Sequence, residues 1–145
     1  MPVQEAATPD QGSRVAVLST LPLMGRKVLV VEDECLVAED FAAILREAGA
    51  EVIGPAETLP QAIRLAQNGP PPDAALLDID LDGTAVFPLA EQLRAEGVLM
   101  LFLTGMGCDA VPDELADVLC IAKPIIAARV VDELAALMGP VTAAA

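Results

Sequence analysis

The sequence predicts an α/β fold built on a five-stranded parallel sheet with helices on both faces. Short apolar runs alternate with segments of helical period through the chain, which is the pattern of repeated strand–helix units. The runs are continuously apolar rather than alternating, as strands buried on both faces are. Several of them end in a polar residue: Glu32-Asp33, Asp78, Thr104 and Lys123. In a parallel sheet those ends share one edge, where such proteins bind their ligands.

Taken in order, residues 1–25 mix Pro, Gln, Ser, Thr and Ala without a period and read as a flexible leader. Pro22 breaks the mildly apolar stretch 15–24, which excludes a signal-peptide core. Lys27-Val28-Leu29-Val30-Val31 is the first strand and runs into Glu32-Asp33-Glu34. Leu36, Val37, Phe41, Ile44, Leu45 and Ala48 keep helical spacing, and Gly49 stops that helix. Glu51-Val52-Ile53-Gly54 is a short strand, and Thr58-Leu59-Pro60-Gln61 is a capping-box pattern for a helix to about Gln67. Ala74-Ala75-Leu76-Leu77 is the strand that ends at Asp78, with Asp80 and an Asp82-Gly83 turn beyond it. A helix follows over 85–96 with Pro88 in its first turn, where proline is tolerated. Val98 to Leu103 is the most apolar strand and ends at Thr104-Gly105. The pattern over 106–117 is weak, a loop with one short helix after Pro112. Val118 to Ala122 is the fifth strand and ends at Lys123-Pro124. The last helix places Ile126, Val130, Leu134 and Leu137 on one face, and residues 139–145 form a short tail.

With 145 residues, 54% of them apolar, the chain suits one globular domain, here residues 26–138. Three Phe and no Tyr or Trp leave Leu, Val, Ile and Ala to fill the core. A net charge of −14 provides no basic stripe to displace counterions, so nucleic acid is excluded as a partner. No apolar run approaches the roughly 18 residues of a membrane span. Cys35, Cys108 and Cys120 follow no metal-ligand spacing, and with no His a zinc site is excluded. They read as buried thiols of a cytoplasmic protein.

Each strand-end residue alone has an ordinary reading: an Asp after a strand caps a helix or makes a turn, and a lone Thr or Lys there is solvated. Their joint occurrence at four strand ends is the informative fact. Three carboxylates on one edge repel unless a cation lies among them, and all-oxygen donors suit Mg2+. A carboxylate beside Mg2+, an ammonium and a hydroxyl is placed to attack a phosphoryl group.

Val30-Val31-Glu32-Asp33-Glu34, Leu76-Leu77-Asp78, Phe102-Leu103-Thr104-Gly105 and Ala122-Lys123-Pro124 together resemble the receiver domain of two-component response regulators, the CheY-like fold with strand order 2-1-3-4-5. The resemblance covers about residues 26–138. It implies a phosphorelay role in which Asp78 accepts a phosphoryl group from a histidine kinase or phosphotransfer protein. Glu32 and Asp33 would hold Mg2+ with Asp78 and the main-chain carbonyl of Asp80. Thr104 would be the switch hydroxyl and Lys123 the phosphate-pairing ammonium, and the Lys123-Pro124 bond is expected to be cis. The chain would catalyse only its own phosphorylation and dephosphorylation, so it is not expected to be a conventional enzyme. A stand-alone regulator signalling by protein–protein contact is implied, through the segment after the fourth strand, the fifth strand and the last helix. A phosphate sink and a never-phosphorylated adaptor are the other roles open to it.

Two positions depart from the family pattern. Cys120 stands where receivers carry an aromatic three residues before the lysine, and Ile125 stands where Phe commonly follows Lys-Pro. Phe102-Leu103-Thr104-Gly105-Met106 is similar to the motif of the FATGUY receiver subfamily, which lacks that aromatic, has a reduced fourth helix and includes general-stress regulators. The switch is then expected in the loop after Thr104. Asp80 and Met106 occupy positions that tune dephosphorylation in the family, Met106 by shielding the phosphoryl group. Asp80-Leu81-Asp82-Gly83-Thr84 also resembles the nucleophile motif of haloacid-dehalogenase-type phosphatases, with Asp80 as nucleophile, Asp82 as acid, and Thr104 and Lys123 as later motifs. That family requires an acidic pair after the lysine, and Asp132-Glu133 falls inside the last helix instead.

Overall fold

The computed structural model describes residues 21–140; the greater part of the leader, residues 1–20, and residues 141–145 of the tail lie outside the described residues. Strand β1 (Lys27–Val31) pairs in parallel with β2 (Glu51–Ala56) on one side and β3 (Ala74–Asp78) on the other. Beyond β3 lie β6 (Leu99–Thr104) and then β7 (Leu119–Ala122), also parallel. The sheet order is β2-β1-β3-β6-β7. The two intervening strands, β4 (Asp80–Leu81) and β5 (Thr84–Ala85), form a separate antiparallel hairpin. Setting it aside, the five sheet strands follow the expected 2-1-3-4-5 order.

The continuously apolar strands are explained by what covers them. Leu29, Val31, Ala75, Leu77 and Phe102 face one side, packed with Ala62 and Ala66 of α2 (Leu59–Gln67) and Leu89, Ala90 and Leu93 of α3 (Phe87–Ala95). The intervening residues Val28, Val30, Leu76, Leu101 and Leu103 face the other side. There they meet Phe41 and Leu45 of α1 (Cys35–Glu47) and Val130, Val131 and Leu134 of α4 (Ala127–Met138). Burial on both faces is what a period-2 backbone requires when every position is apolar. Phe87 and Phe102 meet edge to face, ring centroids 5.8 Å apart.

Turn chemistry holds the elements in register. Thr58 caps α2 by accepting the Gln61 N–H, while the Gln61 side chain accepts the Glu57 N–H. Gly49 ends the α1 turn at φ +100°, and a Cβ there would lie 2.8 Å from the Met24 Cα. That contact exists because the packing reaches back past residue 26: Leu23 is fully buried and its N–H donates to the Ala48 carbonyl.

Several sequence expectations change. The helix read over 85–96 begins at Phe87, because the Asp82-Gly83 turn closes a β-hairpin and Thr84-Ala85 is its second strand. Asp82 and Gly83 both have positive φ, the conformation of the tight two-residue hairpin turn that Asp-Gly favours. Leu36 and Ile126, assigned to apolar helix faces, are 81% and 74% exposed; Ile126 precedes α4 as its cap, and Val131 takes the buried position. The 106–117 segment holds one 3-10 turn (Asp113–Leu115), so among the described residues there are four α-helices and the fourth helix of the five-unit pattern is reduced. The cysteines are not buried thiols: Cys108 and Cys120 are bonded to each other and half-buried, and Cys35 is exposed.

Candidate functional site

The sheet topology brings the strand-end residues together. Glu32 follows β1, and its N–H donates to the Ala56 carbonyl, extending the β1–β2 ladder and fixing where the side chain emerges. Asp78 is the last residue of β3, and Thr104 the last of β6. The Lys123 N–H donates to the Thr104 carbonyl at 2.7 Å, which carries the β6–β7 ladder into the loop and aims Lys123 along the same edge. The Lys123–Pro124 bond is cis, as is Gly54–Pro55.

Glu32, Asp78 and Thr104 are the buried polar residues of the described chain. Carboxylate oxygens of Glu32, Asp33 and Asp78 lie within 4.8 Å of one another. The Lys123 ammonium sits among them, 2.8 Å from Glu32 Oε1 and 3.0 Å from Asp78 Oδ2, with Glu34 Oε1 at 3.4 Å. The Asp80 N–H donates to Asp78 Oδ1, and the Glu34 N–H to Glu32 Oε2. Thr104 Oγ1 accepts the Met106 N–H at 3.0 Å, so its hydroxyl is engaged by its own following loop. A cleft of about 370 Å³ lies between this loop and the hairpin, lined by Thr104, Met106, Asp80 and Phe87 among others.

One ammonium does not balance this much buried acid. Burial pushes the Glu32 carboxyl up to about 7; its bond to Lys123 opposes the shift and the Asp78 charge adds to it. Burial works against the Lys123 ammonium too, but hydrogen bonds and charge from Glu32 and Asp78 outweigh it and raise its pKa. The Glu32 shift is chiefly the cost of burying a carboxylate, whereas the Lys123 shift reflects its two carboxylate partners. Glu32, Asp33 and Asp78 offer a hard, all-oxygen donor set with charge to spare, which fits a divalent cation such as Mg2+.

The geometry separates Asp78 from Asp80. Asp78 is buried and held by the lysine. Asp80 is exposed, opens the hairpin, and has its Oδ1 taken by the Gly83 N–H. Asp132 and Glu133 lie within α4, away from any strand end. The arrangement is not that of the phosphatase motif. Met106 is 89% exposed, lines the cleft beside Thr104, and donates its N–H to Thr104 Oγ1.

Sequence reasoning passed over three participants. Glu34 reaches Lys123, a contact hinted at only by the Glu-Asp-Glu run. The β4–β5 hairpin is signalled by Asp82-Gly83, a pair that equally suits a simple turn. Nothing in the spacing of Cys108 and Cys120 signalled their bond.

A doubly wound sheet with a buried acidic pocket, a lysine and a threonine on its carboxyl edge defines a CheY-like receiver. The chain is similar to SdrG of Sphingomonas melonis Fr1, at 32% identity over 81% of this chain and 98% of that one, with a TM-score of 0.67. It is 34% identical over 83 residues to the phyllosphere-induced regulator PhyR of Methylorubrum extorquens, covering 56% of this chain and 31% of that protein. It thus spans about a third of the length of that curated relative. The CheY-like receiver domain protein of Methanospirillum hungatei JF-1 shares the fold, at 23% identity, 75% coverage of this chain, 90% of that one and a TM-score of 0.66. No protein-family model matches. The chain belongs to the response-regulator receiver-domain family. Among the described residues no helix is long and apolar enough to cross a membrane.

Proposed function

We propose that the chain is a cytoplasmic phosphorelay receiver that accepts a phosphoryl group on Asp78 and signals through protein–protein contact. The observation that carries this reading is the Lys123 ammonium held at once by Glu32 and Asp78 in a buried acidic pocket. Asp78 supplies the attacking carboxylate oxygen. Each oxygen keeps a lone pair beyond its present hydrogen bond. A new Asp78 O–P bond forms as the P–N bond of a phosphohistidine donor, or the P–O bond of a small acyl phosphate, breaks. The leaving group takes the electron pair. Lys123 then pairs with a phosphoryl oxygen, and the Thr104 hydroxyl donates to another. Glu32, Asp33, Asp78 and the Asp80 main-chain carbonyl would hold Mg2+, which when bound would neutralise charge on the transferring group. The donor is a histidine kinase or phosphotransfer protein.

The test is intact mass after incubation with Mg2+ and acetyl phosphate. One phosphoryl group is expected on wild type and Asp80→Asn, and none on Asp78→Asn. Loss only in Asp80→Asn would overturn the assignment. An unmodified wild type even with a panel of kinases would leave the adaptor role. A modified chain that gains no binding partner would indicate a phosphate sink.

A further inference from the structure

The segment joining β6 to β7 is anchored unequally. Its second half is tied to the body of the domain: Leu115 is fully buried, Arg94 of α3 donates to the Glu114 carbonyl at 2.7 Å, and Arg94 pairs with Asp117. Its first half is mostly exposed at Gly105, Met106, Asp109 and Ala110. The covalent tie in that half is Cys108 to Cys120, twelve positions apart in sequence with Cα atoms 6.0 Å apart. Cys120 lies on β7, in register with Phe102 of β6.

We propose that Cys108 and Cys120 form a reversible thiol–disulfide modification site that clamps the first half of this segment onto the edge strand β7. Both residues are half-buried, so a small thiol or disulfide can reach them. In a cytoplasmic chain a disulfide of this kind is a redox-responsive element rather than a permanent staple. The oxidant is a small disulfide such as oxidised glutathione. One cysteine thiolate attacks it, forming a mixed disulfide and expelling a glutathione thiolate. The second cysteine thiolate attacks the protein-side sulfur, closing Cys108–Cys120 and expelling the other glutathione thiolate. Two electrons pass to the reagent, and the two thiol protons end on the released glutathione. Reduced glutathione reverses both steps.

The clamp acts on the loop that engages Thr104 through the Met106 N–H. Its bearing on signalling therefore rests on the receiver reading of Thr104, and its reversibility in the cell on the cytoplasmic placement proposed above; the bond itself rests on neither. In the oxidised chain the loop is held at Thr104 and at Cys108. In the reduced chain the Cys108 tie is gone, and the loop is held by the Met106–Thr104 bond, the packing of Val111 and the Arg94 and Leu115 anchors.

The full chain is equilibrated with oxidised or reduced glutathione, then measured by intact mass and by amide hydrogen exchange without phosphodonor. Oxidation is expected to remove two hydrogens from wild type and from Cys35→Ser, reversibly, and to slow exchange over residues 105–112 by about tenfold. Cys108→Ser and Cys120→Ser are expected to show neither change. A chain that stops at mixed disulfides, a bond that cannot be reduced in the folded chain, or closure that leaves exchange over 105–112 unchanged would each overturn the proposal. Because no phosphoryl group is involved, failure of the Asp78 reading leaves this result intact, and the reverse holds.

Discussion

Lys123 and Glu32, ninety-one positions apart in the chain, meet at 2.8 Å on the carboxyl edge of the sheet. The same ammonium reaches Asp78 at 3.0 Å. The lysine therefore does two jobs that pull in opposite directions. It screens buried carboxylates that would otherwise repel, and in the proposed mechanism it would pair with a phosphoryl oxygen.

Removing it exposes the first job. Lys123→Met leaves Glu32 and Asp78 buried without a cation, and breaking a buried pair in this way costs about 3 kcal/mol. Urea unfolding at pH 8 should show that loss. Lys123→Arg should recover much of the stability. It should recover less of the phosphoryl uptake, because a planar fork does not replace a compact ammonium.

The Glu32 carboxyl sets a pH dependence. Its folded pKa, about 7, lies above the ordinary carboxylate value, so the folded state holds its proton more tightly than the unfolded chain does. Stability from this group is present at low pH and declines as pH rises from about 4.5 towards 7. Glu32→Gln should therefore unfold later than wild type at pH 8, by about 1 kcal/mol, while losing Mg2+ affinity. A metal ligand must be ionised, so in wild type Mg2+ affinity should fall about tenfold per pH unit below 7. Calorimetric Mg2+ titrations at pH 6 and pH 8 read this directly. Equal affinities would remove Glu32 from the ligand set.

How much of this was legible in the sequence follows from what each feature depends on. The sheet strands could be read because burial on both faces leaves an unbroken apolar run, as in Ala74 to Leu77. The pocket could be read because parallel topology converts strand ends into neighbours. The face of α1 was harder. Leu36 fits the helical period but lies exposed in the first turn, and Ala38 and Ala42 are buried in its stead. The Cys108–Cys120 bond depends on where a loop returns to an edge strand, and no local pattern encodes that.

Gly49 tests the packing that reaches behind β1. A Cβ at this position would meet the Met24 Cα at 2.8 Å and nitrogen at 3.0 Å, on a backbone already at φ +100°. Backbone cannot rotate aside as a side chain can. Gly49→Ala should cost about 2 kcal/mol, more than the roughly 1 kcal/mol of strain for a positive-φ alanine alone. Gly97 (φ +81°) has nothing within 4 Å of its Cβ position and should show only the smaller value. Thermal or urea unfolding of the two variants, compared side by side, checks the difference.

Thr104 separates chemistry from response. Its hydroxyl oxygen now accepts the Met106 N–H, and on phosphorylation the hydroxyl would donate to a phosphoryl oxygen. A hydroxyl can accept one bond and donate another, so the loop is drawn towards Asp78 if the first bond persists and released if it breaks. Either way the amide of Met106 should report the event. Thr104→Ala keeps Asp78, Lys123 and the acidic ligands, so phosphoryl uptake should persist within about tenfold of wild type, the scale of one lost hydrogen bond. The Met106 amide shift on phosphorylation should vanish in that variant, and Thr104→Ser should restore it. A Met106 shift that survives in Thr104→Ala would place the switch elsewhere, most directly on Lys123, the other group that exchanges partners when Asp78 is modified.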